Sequence, residues 1–166
     1  MPRQLLRDGR VVADDWTYLS EADAGGGAAP SAAGLIIPLE AWLADKPHWL
    51  AVPGRLGVVI LPAHKVESLA ADLPRFELIA AEFPGPGEGR GYTQGRLLRE
   101  RLGFAGELRA KGYVRRDQLF FLARCGFNSF ELPDADLEGA SAAFRTFSAK
   151  YQPSNDAGLA VKLRSR

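Results

Sequence analysis

The chain has 166 residues, 46% of them hydrophobic and 25% charged, with a formal net charge of +1. That length suits one domain with its own core, and the near-neutral total excludes a general electrostatic pull toward nucleic acid or membrane. A single cysteine, Cys125, and two histidines, His48 and His64, exclude an internal disulfide and a cysteine- or histidine-rich metal site.

The first segment, Gln4 to Val12, reads as a β-hairpin, with Asp8-Gly9 as the turn between two short apolar runs. Residues 14–19 read as an extension of its second strand, and the hairpin as an addition to the main sheet. The charged start lacks the apolar core of a signal peptide, and no apolar run approaches a membrane span. The expectation is a cytoplasmic protein.

Residues 20–34 are low in complexity, with three consecutive glycines, and suggest a flexible loop. Leu35–Leu39 is a short buried strand or extended entry. Glu40–Ala44 is a brief helix ended before Pro47, with Trp42 and Trp49 at a core edge. Gly57–Leu61 is a continuous apolar run, as in a strand buried on both faces. Then come a short helix over 64–70, a strand over 76–83, a loop over 84–91 and an amphipathic helix over 92–102 that Gly103 stops. Glu107–Lys111 alternates with period two. A helix over 115–124, a strand over 127–131 and a helix over 137–150, with Phe144 and Phe147 inward, complete the pattern. Residues 152–166 lack periodicity and read as a disordered tail beyond a single domain over 1–151.

Alternating strands and helices with short connections predict an α/β fold. Its sheet is mostly parallel, with four to five strands in βα repeats, either open or half of a βα barrel, plus the N-terminal hairpin. Ligands of such folds bind at the carboxyl ends of the strands. Glu82, Lys111 and Glu131 end three of the predicted strands. Gly89, Arg90, Gly91 and Thr93 lie in the loop and helix start beside that edge. Glycine-rich loops and helix N-termini present free N–H groups to anions. One reading is therefore a small oxyanion site built by Arg90, Lys111 and that loop, with Glu82 and Glu131 as an acid/base pair. The plainer alternative is a long shaped loop with strand-end carboxylates salt-bridged to Arg90 or Lys111. His64 lies at the same edge, and Cys125 falls at a helix C-terminus, where the dipole disfavours a thiolate.

Charge is segregated. Residues 90–124 hold nine Lys+Arg against three Asp+Glu, whereas residues 1–89 hold seven against twelve. Arg96, Arg99, Arg115 and Arg116 are candidates for a partner-docking face or for solvated helix surface. The glycines do not form a dinucleotide fingerprint, and there is no Walker sequence, Cys-x-x-Cys pair or haem or cluster ligand set, so no cofactor or metal is expected. Interleaved aromatics of the single-strand-binding kind are absent.

Several blocks in order resemble one bacterial family. They are Gly89-Arg90-Gly91-Tyr92-Thr93-Gln94, Arg96 to Arg101, Gly106 to Ala110, Arg116-Asp117-Gln118-Leu119 and Arg124-Cys125-Gly126-Phe127. The chain from about Gly57 to Tyr151 is similar to the domain of unknown function family 934. That family carries an oxidoreductase label and tends to be encoded beside sulfite reductase. The resemblance implies an accessory role in reductive sulfate assimilation, with sulfite reductase or its electron donor as partner. The alternative is a small oxyanion-binding enzyme or sensor of sulfur metabolism. The family's usual Asp before Gly-Arg-Gly is Glu88 here, and its usual Gly-Asp after the third strand is Gly112-Tyr113. If either acid of the family pattern were catalytic, these departures would count against a strict enzymatic role.

Overall fold

The computed structural model describes residues 3–24 and 34–146. Eight strands form one mixed sheet in the order β2-β1-β8-β7-β6-β5-β4-β3. The strands are β1 (Gln4–Arg7), β2 (Arg10–Ala13), β3 (Trp16–Tyr18), β4 (Gly34–Pro38), β5 (Arg55–Ile60), β6 (Leu78–Phe83), β7 (Glu107–Gly112) and β8 (Ser129–Phe130). β3 to β8 are parallel and adjacent in chain order. β1 runs antiparallel to both β2 and β8.

The hairpin forms as expected. Asp8 and Gly9 both take positive φ, 50° and 78°, the backbone that a two-residue turn between twisted strands requires.

Three expectations need correction. The sheet is larger than four to five strands and is mixed, because the hairpin is part of it: Leu6 registers with Phe130. Residues 14–19 do not extend β2. Asp14 accepts a hydrogen bond from the Trp16 N–H at 3.2 Å, a local turn of the kind aspartate favours. That turn carries the chain from β2, at one end of the sheet, to β3, at the other. Nor does the helical segment stop before Pro47. After α2 (Leu39–Ala44), a second helix, α3 (Lys46–Ala51), carries Pro47 in its first turn, where a missing N–H costs nothing.

The other connections are compact. Val66–Leu69 is a 3-10 turn rather than a full helix. α4 (Arg90–Arg96) passes into one π-type turn over Leu97–Arg101, closed by Leu102 N–H to Leu97 O at 3.0 Å. α5 (Leu119–Arg124) precedes β8, and α6 (Asp134–Thr146) packs on the hairpin, with Ser141 Oγ donating to Gly9 O. Of the loop expected over 20–34, Glu21–Ala24 is one helical turn, α1. Residues 25–33, the expected tail over 152–166 and Phe147 lie outside the described residues.

Strand alternation sorts the side chains into two layers. Val58, Ile60, Ile79, Ala81, Phe83, Leu108, Ala110 and Phe130 meet the helices through Trp42, Leu98, Leu122 and Phe144 in the main core. The opposite, concave face carries a small apolar cluster of Trp16, Ile36, Leu78 and Ala80. Tyr18 and Val59 pack against that cluster, and charged side chains share the face with it. Tyr18 on the edge strand β3 bonds Glu131 just past β8, so the sheet is curled into an open half-barrel.

Candidate functional site

Glu82 on β6 and Lys111 on β7 are register partners at the carboxyl edge. Adjacent parallel strands in register put both side chains on one face, and Lys111 Nζ donates to Glu82 Oε2. The same ammonium lies 4.9 Å from the centre of the Tyr18 ring, a cation–π distance. Tyr18 OH donates to Glu131 Oε1 at 2.5 Å, and Arg3 covers the ring at 5.2 Å. Glu82, Lys111 and Glu131 are therefore linked through one phenol ring. Burial and the charge of Glu131 push the Tyr18 hydroxyl well above its ordinary range, with Arg109 opposing. The phenol is held protonated, as a donor.

Beneath this layer lies Arg109, whose side chain is 0% exposed. It donates to Asp14 through Nη1 and Nη2, both at 3.1 Å, to Glu107 at 2.9 Å and to Glu131 at 3.4 Å. Burial, the largest influence, pulls its pKa down, but the carboxylates Glu107 and Asp14 hold the guanidinium charged, above its usual value. Arg3 reaches Asp14 and Glu131, and Arg7 reaches Glu107 at 3.3 Å. Four cations thus face four carboxylates in the concave network: Arg3, Arg7, Arg109 and Lys111 against Asp14, Glu82, Glu107 and Glu131. Ser129 Oγ and Trp16 Nε1 are buried on the same face without a protein partner. Sequence reasoning found Lys111, Glu82 and Glu131 but missed Tyr18, Asp14 and Arg109. The available signal was the period-two spacing of Trp16 with Tyr18 and of Glu107, Arg109 and Lys111.

The glycine-rich loop stands apart from this network. Arg90 is exposed and donates to Glu88 through Nε at 2.9 Å, Nη2 at 2.8 Å and its backbone N–H at 3.0 Å. The Arg90 hydrogen bonds lower the Glu88 pKa to about 2. Thr93 is exposed, and a side chain at Gly89 would meet open space. Gly91 has a packing task instead: a Cβ there would lie 2.5 Å from Phe83. Gly95 does the same against Phe127, also at 2.5 Å. One turn apart on α4, the two glycines let the helix lie close on the aromatic rings beneath it. Between them Gln94 is buried and donates to Leu61 O and His64 O. His64 takes the Leu61 N–H on Nδ1 and so presents its Nε2 proton to Glu40, 2.7 Å away.

The candidate docking arginines divide. Arg99, in the π-type turn, points inward and donates to Gly126 O at 2.9 Å, Phe104 O at 2.7 Å and Gly106 O at 2.8 Å. Burial lowers its pKa. Arg115 and Arg116 are exposed, the former stacked on Tyr113 at 5.0 Å. Arg96 is half exposed, 3.6 Å from Glu100, and its charge favours the ionised form of the Cys125 thiol. Burial pushes that thiol up, with Arg96 and Arg124 opposing. Phe121, on the outer side of α5, is 64% exposed.

A ligand-sized cleft of about 780 Å³ lies elsewhere, between the hairpin and α6, lined by Arg10, Val11, Asp134, Glu138 and Ser141 among others. None of the sequence-predicted site residues lines it. Among the described residues, no helix is long and apolar enough to cross a membrane. No group of three His, Cys, Asp or Glu is placed among them to hold a metal ion.

Comparison with curated proteins and with solved structures returns no match. A family model described as "Bacterial protein of unknown function (DUF934)" matches residues 57–161. The match runs from within β5 through α6 and takes in the Gly91–Gly95 face of α4, the Arg99 anchor and both Glu82 and Lys111. Covering well over half of the chain, it shows that this protein belongs to the DUF934 family of bacterial proteins of unknown function.

Proposed function

We propose that this protein is an accessory of reductive sulfate assimilation that docks on sulfite reductase or its electron donor through the basic face formed by α4, α5 and the turns flanking them. One observation carries the reading. The cations that an oxyanion site would use are already bonded to carboxylates, Arg90 to Glu88 and Lys111 to Glu82, whereas Arg101, Arg115 and Arg116 face solvent. A small oxyanion would have to displace a bidentate or part-buried carboxylate. An acidic protein surface need only approach. The choice of partner rests on the resemblance to a family encoded beside sulfite reductase.

Surface charges attract over about one Debye length, ~8 Å in physiological salt, so the association weakens as salt rises. Pull-down with purified sulfite reductase at low and high salt is the test. Capture at low salt, lost at high salt and reduced by Arg115→Glu with Arg116→Glu, is the expected result. Equal capture by wild type and the double variant, or no capture at any salt, rejects the reading. Calorimetry with sulfite and sulfate tests the oxyanion alternative: binding abolished by Arg90→Ala would favour it instead.

A further inference from the structure

We propose that the cleft between the hairpin and α6 is a strand-binding groove whose occupant is the chain's own segment Leu159–Arg164. Ser141 Oγ, donating to Gly9 O at 2.9 Å, holds α6 against the hairpin turn. The cleft of about 780 Å³ is lined by Arg10 and Val11 of β2 and by Asp134, Glu138 and Ala142 of α6, among others. Among the described residues, β2 pairs with β1 alone. The two-residue turn makes Arg7 and Arg10 a hydrogen-bonded pair, and Asp14 N–H bonds Arg3 O at 2.7 Å in the same register. Arg10 and Val12 therefore bond β1, and the N–H and C=O groups of Val11 and Ala13 point to the open edge. An open edge beside a helix is a setting in which an extended segment adds as one more strand.

The charge of the groove selects the segment. Asp134 and Glu138 are exposed, and neither forms an ion pair with another described residue. Arg10 is the one cation among the described lining residues, so the cleft is net acidic. The two carboxylates are four apart on α6 and stand on one face, about 6 Å apart along its axis. In an extended segment, Lys162 and Arg164 are two apart and point the same way, about 6.6 Å from each other. Laid along α6, the two cations match the two carboxylates in sign and spacing. The alternate residues Leu159, Val161 and Leu163 then take the other face, beside the half-buried Val12. The irregular stretch up to Gly158 conceals this six-residue alternation within the tail expected over 152–166.

The segment can reach the groove. The return along the 13 residues of α6 is about 20 Å, and the connection over 147–158 spans up to about 40 Å when extended. Pro153, Asn155 and Gly158 in that connection favour the turn it needs. The family match continues past α6 to residue 161, so it takes in this connection. The other internal stretch outside the described residues, 25–33, holds only Gly, Ala, Pro and Ser, with no charge to meet Asp134 or Glu138. Docked beside β2, Leu159–Arg164 caps an edge otherwise open to pairing with another chain.

Hydrogen exchange of single amides, followed by NMR, is the test. It compares the full chain, a chain ended after Gly158, and the full-length double variant Lys162→Glu with Arg164→Glu. In the full chain the Val11 and Ala13 amides are expected to exchange roughly tenfold or more slowly than in either variant. A synthetic peptide of residues 158–166, added in excess to the shortened chain, should restore the protection. Unchanged exchange of the Leu5 and Leu6 amides shows that the hairpin itself is intact in the variants. Equal exchange at Val11 and Ala13 in all three proteins overturns the proposal. Protection that survives the shortening gives the groove to another occupant and overturns it too. So does protection that rises with protein concentration alongside a dimer in sedimentation, which assigns the groove to a second copy.

Discussion

Arg109 and Asp14, 95 positions apart in the chain, are joined by two hydrogen bonds of 3.1 Å each in a place almost without solvent. Asp14 belongs to the two-residue link between the outermost strands, and Arg109 to the middle of the sheet. The pair fastens the sheet's margin to its centre. Removing one member takes a buried partner from the other, Arg109 keeping Glu107 and Glu131 and Asp14 keeping Arg3, so the loss is expected to fall at or below the low end of the roughly 3–5 kcal/mol typical of a broken buried pair. Arg109→Met and Asp14→Asn are expected to lower the urea midpoint strongly when measured singly. The double variant should lose clearly less than the sum, because the two groups share one interaction. Full additivity would rule out the coupling.

The phenol of Tyr18 makes a smaller and separable contribution. Tyr18→Phe keeps the ring between Arg3 and Lys111 but removes the hydrogen bond to Glu131, at a cost of about 1.5–3 kcal/mol for a bond to a charged group. The folded pKa of Tyr18 lies above its unfolded value. Its share of stability is thus fully present below the unfolded pKa, near ~10, and declines as pH rises past that point. Denaturation midpoints between neutral pH and pH ~11 should fall more steeply in wild type than in Tyr18→Phe. Parallel curves would contradict the assignment.

Glycine substitutions separate architecture from anion binding. Gly126 has a φ of 104°, and a Cβ there would sit 2.3 Å from Arg99 Cγ. Gly126→Ala combines strain and overpacking and is expected to cost about 2–4 kcal/mol. Gly89→Ala meets open space at an ordinary backbone conformation and should be neutral or slightly stabilising, by up to ~1 kcal/mol. Thermal melts of the two variants check the contrast, and similar melting temperatures would refute it.

Acid sensitivity has an identifiable source outside the concave network. Asp72 accepts from Lys46 Nζ at 2.7 Å and Trp42 Nε1 at 2.9 Å. Partial burial, the largest influence, raises its pKa, but these bonds and the Lys46 charge together lower it. A depressed folded pKa contributes stability above the unfolded value, near ~3.9, that disappears as pH falls through the folded one. Asp72→Asn should be less stable than wild type at neutral pH, and the gap should close in acid. A gap constant from pH 7 to pH 2 would exclude this role.

The sequence made local features legible. Asp8-Gly9 specifies its own turn, and the apolar run from Gly57 specifies a strand covered on both faces. β3 was hidden because three residues carry too little pattern, and its partner β4 follows a glycine-rich stretch. The concave network was hidden for a different reason. The alternation of Glu107, Arg109 and Lys111 marks two faces but not which one is wet. Charges ordinarily mark the solvent side, and here they fill the interior of a curled sheet. The glycine loop reads two ways: Gly91, counted among the candidate anion-binding residues, also lets α4 lie on Phe83, as Gly95 does on Phe127. Arg99 was counted as surface charge because nothing in its neighbours announces three carbonyl acceptors.

The antiparallel pairing of β1 with β8 also bears on how the chain emerges from the ribosome. Asn128 bonds Asp8 across 120 positions, so β1 is completed by a strand, β8, made that much later. At roughly 5–20 residues per second, that separation lasts on the order of ten seconds. Throughout it, Leu5 and Leu6, both 0% exposed in the finished protein, have no partner strand on that side. Until β8 is made, that edge of the hairpin leaves its backbone N–H and C=O groups open to pairing with another strand.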